Sequence, residues 1–272
     1  MEAELLQPQS ISPGTVKTEE EHRRDICAVG RWLHERAYVA SNDGNISVRL
    51  DPRRILTSPT GISKGMMAPD DIVVTDLEGN RLTGRLSPSS ELAMHLLIYR
   101  RRPDINAVCH AHPPTATGYA AAGLPLDRAI LAELVVCLGS IPVARYGTPG
   151  TQELTQAIEP LVHNHDAILM ANHGVVTYGP DLLTAFFRME TAEHFARVSL
   201  VTELLGKQVL LSGKDVEKLL AIRARCTPQP AATVANPGLI TSDGDSERIT
   251  LTRDQLEALI KEAVESDRLS RK

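Results

Sequence analysis

No stretch of this 272-residue chain approaches the roughly 18 or more consecutive apolar residues that a membrane span needs. The opening MEAELLQPQS has no basic region ahead of an apolar run, so it does not read as a signal peptide. Positive charge is also short. The 29 Lys and Arg are outnumbered by 34 Asp and Glu, leaving a net charge of −5. No basic surface for nucleic acid is implied. Cysteine is sparse: Cys27, Cys109, Cys137 and Cys226 have no short pairing, and three lie in apolar surroundings. They read as reduced thiols of a cytoplasmic protein. There are no internal repeats. The one basic cluster, Arg100–Arg102, ends a predicted helix, where it complements the helix dipole rather than gripping phosphate.

What is present is an alternation of helical and strand patterns. Residues 1–17, with Pro8, Pro13 and Gly14, read as an irregular arm. Thr18 and Glu21 form a capping box, and Ile26, Val29, Leu33 and Ala37 recur at helical spacing, predicting a helix over 19–37. SNDGNISVRL switches to period two and predicts a strand. RRILTSP and DIVVTDLEGNRL predict further strands, the second closing at the turn Glu78-Gly79-Asn80. A helix should follow from Ser89-Ser90-Glu91 to about residue 101, then a strand in INAVCHAH. LAELVVCLGSIPVARY reads as two short strands, 151–163 as a helix, and AILMANHGVVTYG as a strand pair. Helices over 181–205 and 214–224 complete a single α/β domain, residues 18–225, with a central mixed or antiparallel sheet flanked by helices.

The chemistry concentrates in AVCHAHPP. Two residues apart on a strand, His110 and His112 project to the same face. Such a pair serves either as ordinary core polarity or as a metal site. Asn172-His173-Gly174, after the apolar strand AILMA, offers a third imidazole. Three neutral histidines leave one coordination position open, the pattern of a catalytic rather than a structural zinc site. A proton carrier is then needed, and Glu91 is the candidate. Ser89 and Ser90 stand beside it at a helix start, where free amides attract an anion. The plainer alternative is an N-cap followed by an acidic first turn. Asp43–Ser47 and Thr57–Gly61 are turns that could complete an anion pocket. His22, His34, His95, His163, His165 and His194 are given no role.

The motifs GNIS, SPTG, PSSE, HAH and NHG, in this order, resemble those of the class II aldolase and adducin family, over about residues 20–210. The resemblance implies Zn2+ held by His110, His112 and His173, with Mn2+ or Co2+ as alternatives. It implies Glu91 as acid/base, and a substrate phosphate among Asn45, Thr60, Gly61, Ser89 and Ser90. It also implies a homotetramer with sites near subunit interfaces. A glutamate at 91 matches the aldolase branches, since the epimerase branch carries aspartate there. The implied reaction is cleavage of a deoxy-ketose 1-phosphate, L-fuculose or L-rhamnulose 1-phosphate, to dihydroxyacetone phosphate and lactaldehyde. Decarboxylation, dehydration and 4-epimerisation occur in the same family, and adducin heads are non-catalytic modules. Two departures stand out. The segment Leu131–Val135 lacks the tyrosine of the aldolase branch, and no tyrosine follows Tyr178. Glu133 is the nearest acidic residue, as suited to an interface ion pair as to proton transfer.

Residues 226–247 are rich in proline, glycine and small polar residues and read as a linker. In 248–272, Leu256, Leu259, Ile260, Ala263 and Val264 form one helical face, with a capping box at Thr252 and Gln255. This helix would either pack on its own oligomer or act as a detachable tag, resembling the encapsulation peptides that direct enzymes into bacterial microcompartments. In the second case, residues 248–272 fused to a fluorescent reporter should concentrate in foci when shell proteins are co-expressed. Diffuse fluorescence would leave the packing role.

Overall fold

The computed structural model describes residues 17–226 and 238–242. The expected arm before Lys17, most of the expected linker and the whole of the expected helix over 248–272 lie outside the described residues. Helix α1 (Glu19–Glu35) begins at the Thr18 capping box and buries Ile26, Cys27, Val29 and Leu33. Strands β1 (Asn45–Asp51) and β2 (Arg54–Thr57) form a hairpin. Strands β3 (Val73–Thr75) and β4 (Arg81–Thr83) form a second, closed by the expected turn, so the single strand read there is a pair. Asp76 makes that turn: its carboxylate accepts from the amides of Glu78 and Asn80. Then come α2 (Leu92–Arg101), β5 (Ala107–Ala111), α3 (Pro114–Ala122), α4 (Ala132–Cys137), β6 (Val143–Ala144), α5 (Gln152–Val162), β7 (Ala167–Met170), β8 (Gly174–Gly179), α6 (Leu182–Leu204) and α7 (Gly213–Cys226).

The eight strands form one mixed sheet, in the order β4-β3-β2-β1-β5-β8-β7-β6. All neighbours are antiparallel except β6 and β7. Alternation along the strands sends side chains to two cores. Ala107, Cys109, Ala111, Leu169 and Val175 join the core that includes residues of α1, α3, α4, α6 and α7. Val108, Ile168, Met170, Val176 and Tyr178 join the core with α2 and α5. The result is a single α/β domain with helices on both faces of the sheet. Cys27 and Cys109 are buried free thiols, while Cys137 is exposed. No described helix is long and apolar enough to cross a membrane.

Three expectations are corrected. The first of the two strands expected in LAELVVCLGSIPVARY is helix α4, whose Leu134 and Val135 are buried while Glu133 is exposed. Its β-branched run reads as strand, but packing on one face decides in favour of helix. Arg102 does not simply complement a helix dipole: it is buried and forks onto Asp104 at 2.7 Å and Asp166 at 3.1 Å. Within the expected linker, Leu239 is buried, and Ile240 exchanges backbone hydrogen bonds with Asp127 and Ala129. An apolar pair in a polar stretch suffices to lay that segment on the domain.

Helix α3 was not legible, since Pro113-Pro114 marks only the end of a strand. Proline suits the start of a helix because its missing N–H would be unpaired there anyway. The next amides, of Thr115 and Ala116, donate to Glu193 at 3.0 and 2.9 Å. Glu193 is fully buried on α6 and pairs with Arg197 at 2.8 Å. It thereby anchors the chain just after His112. Glu193→Ala should destabilise the domain by about 3 kcal/mol, because two amides in the first turn lose their acceptor. Urea unfolding would measure this; an unchanged midpoint would mean that water replaces the carboxylate at no cost.

Candidate active site

His110 lies on β5, between β1 and β8, paired with Asn45 on one side and Val176 on the other. It is fully buried. Its Nδ1–H donates to the Val175 carbonyl at 2.8 Å, which leaves Nε2 as the lone-pair nitrogen of the neutral ring. His112 follows one residue beyond the strand, its amide bound to the Tyr38 carbonyl. Its Nε2 comes within 3.2 Å of His110 Nε2. His173 sits in the tight turn between β7 and β8, where Asn172 takes a left-handed conformation. One nitrogen from each of the three rings falls within 4.8 Å of the others. Nitrogens bound at about 2.0–2.1 Å around a tetrahedral ion stand roughly 3.4 Å apart, so this donor set fits a divalent metal with modest adjustment.

Two glycines make that convergence possible. A Cβ on Gly174 would overlap the His112 ring and stand 2.7 Å from the Ala111 carbonyl. Gly44 has φ +72°, and a Cβ there would lie 2.8 Å from the His110 carbonyl. The glycines of NHG and DGN are thus steric requirements of packing the three imidazoles together.

Glu91 stands at the N-cap of α2. Its Oε1 is 3.1 Å from His173 Nε2 and its Oε2 is 3.3 Å from His110 Nε2. Burial pushes its carboxyl up, but His110 and His173 outweigh burial and hold it well below the usual carboxylate range. His110 moves the other way. Burial disfavours its charge, and Glu91 more than compensates. His112 is lowered to about 4 by burial and by the neighbouring imidazoles.

The remaining expected residues gather in the same place. Thr60 N donates to the Ser87 carbonyl and Ser89 N to the Ser58 carbonyl, zipping the SPTG loop to the PSSE loop. Thr60, Gly61, Ser89 and Ser90 therefore line one pocket of about 320 Å3 with Asn45, Glu91, His112 and His173. Ser89 Oγ also accepts from the Glu91 amide at 3.2 Å. Asn45 was expected among the phosphate ligands. It lines the pocket, where its Nδ2 donates to Glu91 at 2.8 Å and its Oδ1 is buried without a partner among the described residues. Glu133 is not among the pocket-lining residues.

Sequence reasoning missed three residues. Asp43 Oδ2 lies 3.4 Å from His112 Nδ1, where a carboxylate orients the ring. Lys64 lines the pocket from a buried position. His95, one helical turn beyond Glu91, is buried with Nδ1 2.7 Å from Ser47 Oγ, which in turn lies 2.8 Å from Tyr99 OH. The i, i+4 spacing from Glu91 was the available signal for His95; Asp43 opens the Asp43–Ser47 turn named above but was given no part in orienting His112, and nothing local marks Lys64.

Residues 24–200 match the family described as Class II Aldolase and Adducin N-terminal domain, and the chain belongs to that family. It is 32% identical over 202 residues to the 5-deoxy-D-ribulose 1-phosphate aldolase of Bacillus thuringiensis serovar kurstaki, covering 74% of this chain and 94% of that one. It is 36% identical over 174 residues to the 3-oxo-tetronate 4-phosphate decarboxylase of Haemophilus influenzae, covering 62% and 82% respectively. A solved L-fuculose 1-phosphate aldolase superposes with a TM-score of 0.70 at 32% identity, covering 76% of this chain and 97% of that one.

Gly174→Ala should displace the His112 ring and the backbone beside it. Metal bound per chain, measured by plasma mass spectrometry after dialysis against trace metal, should fall about 10-fold or more. Full retention would show that the turn can yield without opening the cluster.

Proposed function

We propose that this chain is a metal-dependent class II aldolase that cleaves a deoxy-ketose 1-phosphate, L-fuculose or L-rhamnulose 1-phosphate, to dihydroxyacetone phosphate and lactaldehyde. One observation carries the reading: the Glu91 carboxylate faces His110 and His173 at 3.3 and 3.1 Å, at the inner end of a pocket rimmed by Thr60, Gly61, Ser89 and Ser90. His110, His112 and His173 would hold the ion, and Zn2+ suits three imidazoles and a reaction without redox change; Mn2+ and Co2+ also fit the donors. Bound there, a divalent cation supplies Lewis-acid stabilisation for the oxygens that take up charge when the carbon–carbon bond breaks.

The protein's own groups do the rest. Glu91 carries the proton to and from the carbon freed by cleavage. Asn45 orients it through the 2.8 Å hydrogen bond. Thr60, Gly61, Ser89 and Ser90 hold the phosphate away from the reacting carbons, so binding energy is used for alignment. The protein works as a cytoplasmic homotetramer with its sites near the subunit interfaces.

A second reading is decarboxylation of a 3-oxo acid phosphate. Loss of carbon dioxide creates the same kind of carbanion but needs no acid at an aldehyde oxygen. The missing tyrosines around 131–135 and after 178 favour it. Release of dihydroxyacetone phosphate, followed with an NADH-coupled reductase, should be seen with L-fuculose or L-rhamnulose 1-phosphate. Carbon dioxide from 3-oxo-tetronate 4-phosphate, with no triose phosphate from the ketoses, would establish the second reading. Purified protein with no affinity for a transition metal would point to a non-catalytic module. In the triose-phosphate assay, Glu91→Gln should keep its metal and lose about 10²–10⁴-fold in kcat. His110→Ala should lose metal and turnover together.

A further inference from the structure

Lys64 opens a short turn, Lys64–Met66, and is only 1% exposed. It nevertheless lines the pocket shared by Thr60, Gly61, Ser89 and Ser90, and among the described residues no other Lys or Arg does so. Its Nζ donates to the Asn42 carbonyl at 3.0 Å and the Ile62 carbonyl at 2.6 Å. Both partners are neutral, and among the described residues no carboxylate forms an ion pair with it. Burial lowers its pKa to about 8, against the pull of Asp43. As a device for joining two loops, this is expensive. A buried ammonium without a counter-ion carries a desolvation penalty that methionine of similar length would avoid. An ammonium also has three donors, and the fold uses two.

Resting on the reading that the substrate is phosphorylated, we propose that Lys64 is the positive pole of the anion subsite, meeting the substrate's phosphate with its charge and its third N–H beside Thr60 and Ser90. The two carbonyls hold the ammonium in place before the anion arrives. The arriving dianion then supplies the counter-charge that the fold withholds, which makes the subsite selective for a phosphorylated over a neutral sugar end.

Lys64→Gln tests this directly, because a glutamine amide can still donate to the loop carbonyls but carries no charge. Inorganic phosphate is titrated calorimetrically into the metal-loaded full-length protein. Lys64→Gln should weaken phosphate binding about 10-fold or more and raise KM for the phosphorylated substrate far more than it lowers kcat. Phosphate affinity equal to wild type would overturn the assignment while leaving the aldolase reading intact. Wild-type protein that turns over its substrate yet has no affinity for phosphate would overturn the subsite itself. Should the variant fail to fold, the wild type provides its own test. Above pH 8 phosphate stays a dianion while Lys64 loses its proton, so affinity should drop about tenfold per pH unit; a flat profile from pH 8 to 10 would refute the role.

Discussion

Asn45, Ser47 and Arg49 leave β1 on one side, and α2 lays Glu91, His95 and Tyr99 across them at four-residue spacing. Asn45 holds Glu91, Ser47 holds both His95 and Tyr99, and the Arg49 guanidinium donates to the Tyr99 carbonyl while lying 4.8 Å from that ring's centre. Strand period two meets helix period 3.6 closely enough for three successive contacts. This polar seam fixes the rotation of α2 about its axis. A helix resting on apolar contacts alone could settle in several nearly equal positions, whereas unmatched buried polar groups penalise every one but this. His95, driven to about 3 by burial and by His110, is a neutral strut in the seam rather than a charge.

The seam matters because the site tolerates little displacement. Glu91 is only partly exposed, and its carboxylate oxygens stand little more than 3 Å from the imidazoles of His110 and His173. Those imidazoles depend in turn on Gly44 and Gly174, which let the backbone of one turn approach the neighbouring strand. The site is therefore a place of close backbone approach first and of ionisable groups second.

A different use of buried charge appears away from the pocket. Asp166 accepts from Arg102, Arg188 and Arg223, three guanidinium groups on separate segments. It ties α6 and α7 to the end of α2, and Arg102 shares itself with Asp104. Here every guanidinium has a carboxylate partner within the fold. Lys64, paired only with carbonyls, stands in contrast. Compensation within the fold separates an ion cluster that docks helices from a cation that faces a cavity.

Periodicity in the chain was enough to determine most of the elements: the Thr18 capping box, the alternation in β1 and β5, the long α6. Local patterns also nominated candidates, since two histidines on one strand and a carboxylate after two serines are legible along the chain. Short helices were not legible. In α3 and α4 intrinsic preference is weak or points to strand, and packing on the sheet decides. The meeting of His173 with His110 and His112, Asn45 serving Glu91 instead of standing free, and Lys64 turning into the pocket were decided only by the tertiary structure. Each joins residues far apart along the chain, and a sequence pattern records spacing along the backbone, not which distant turns the sheet order brings together.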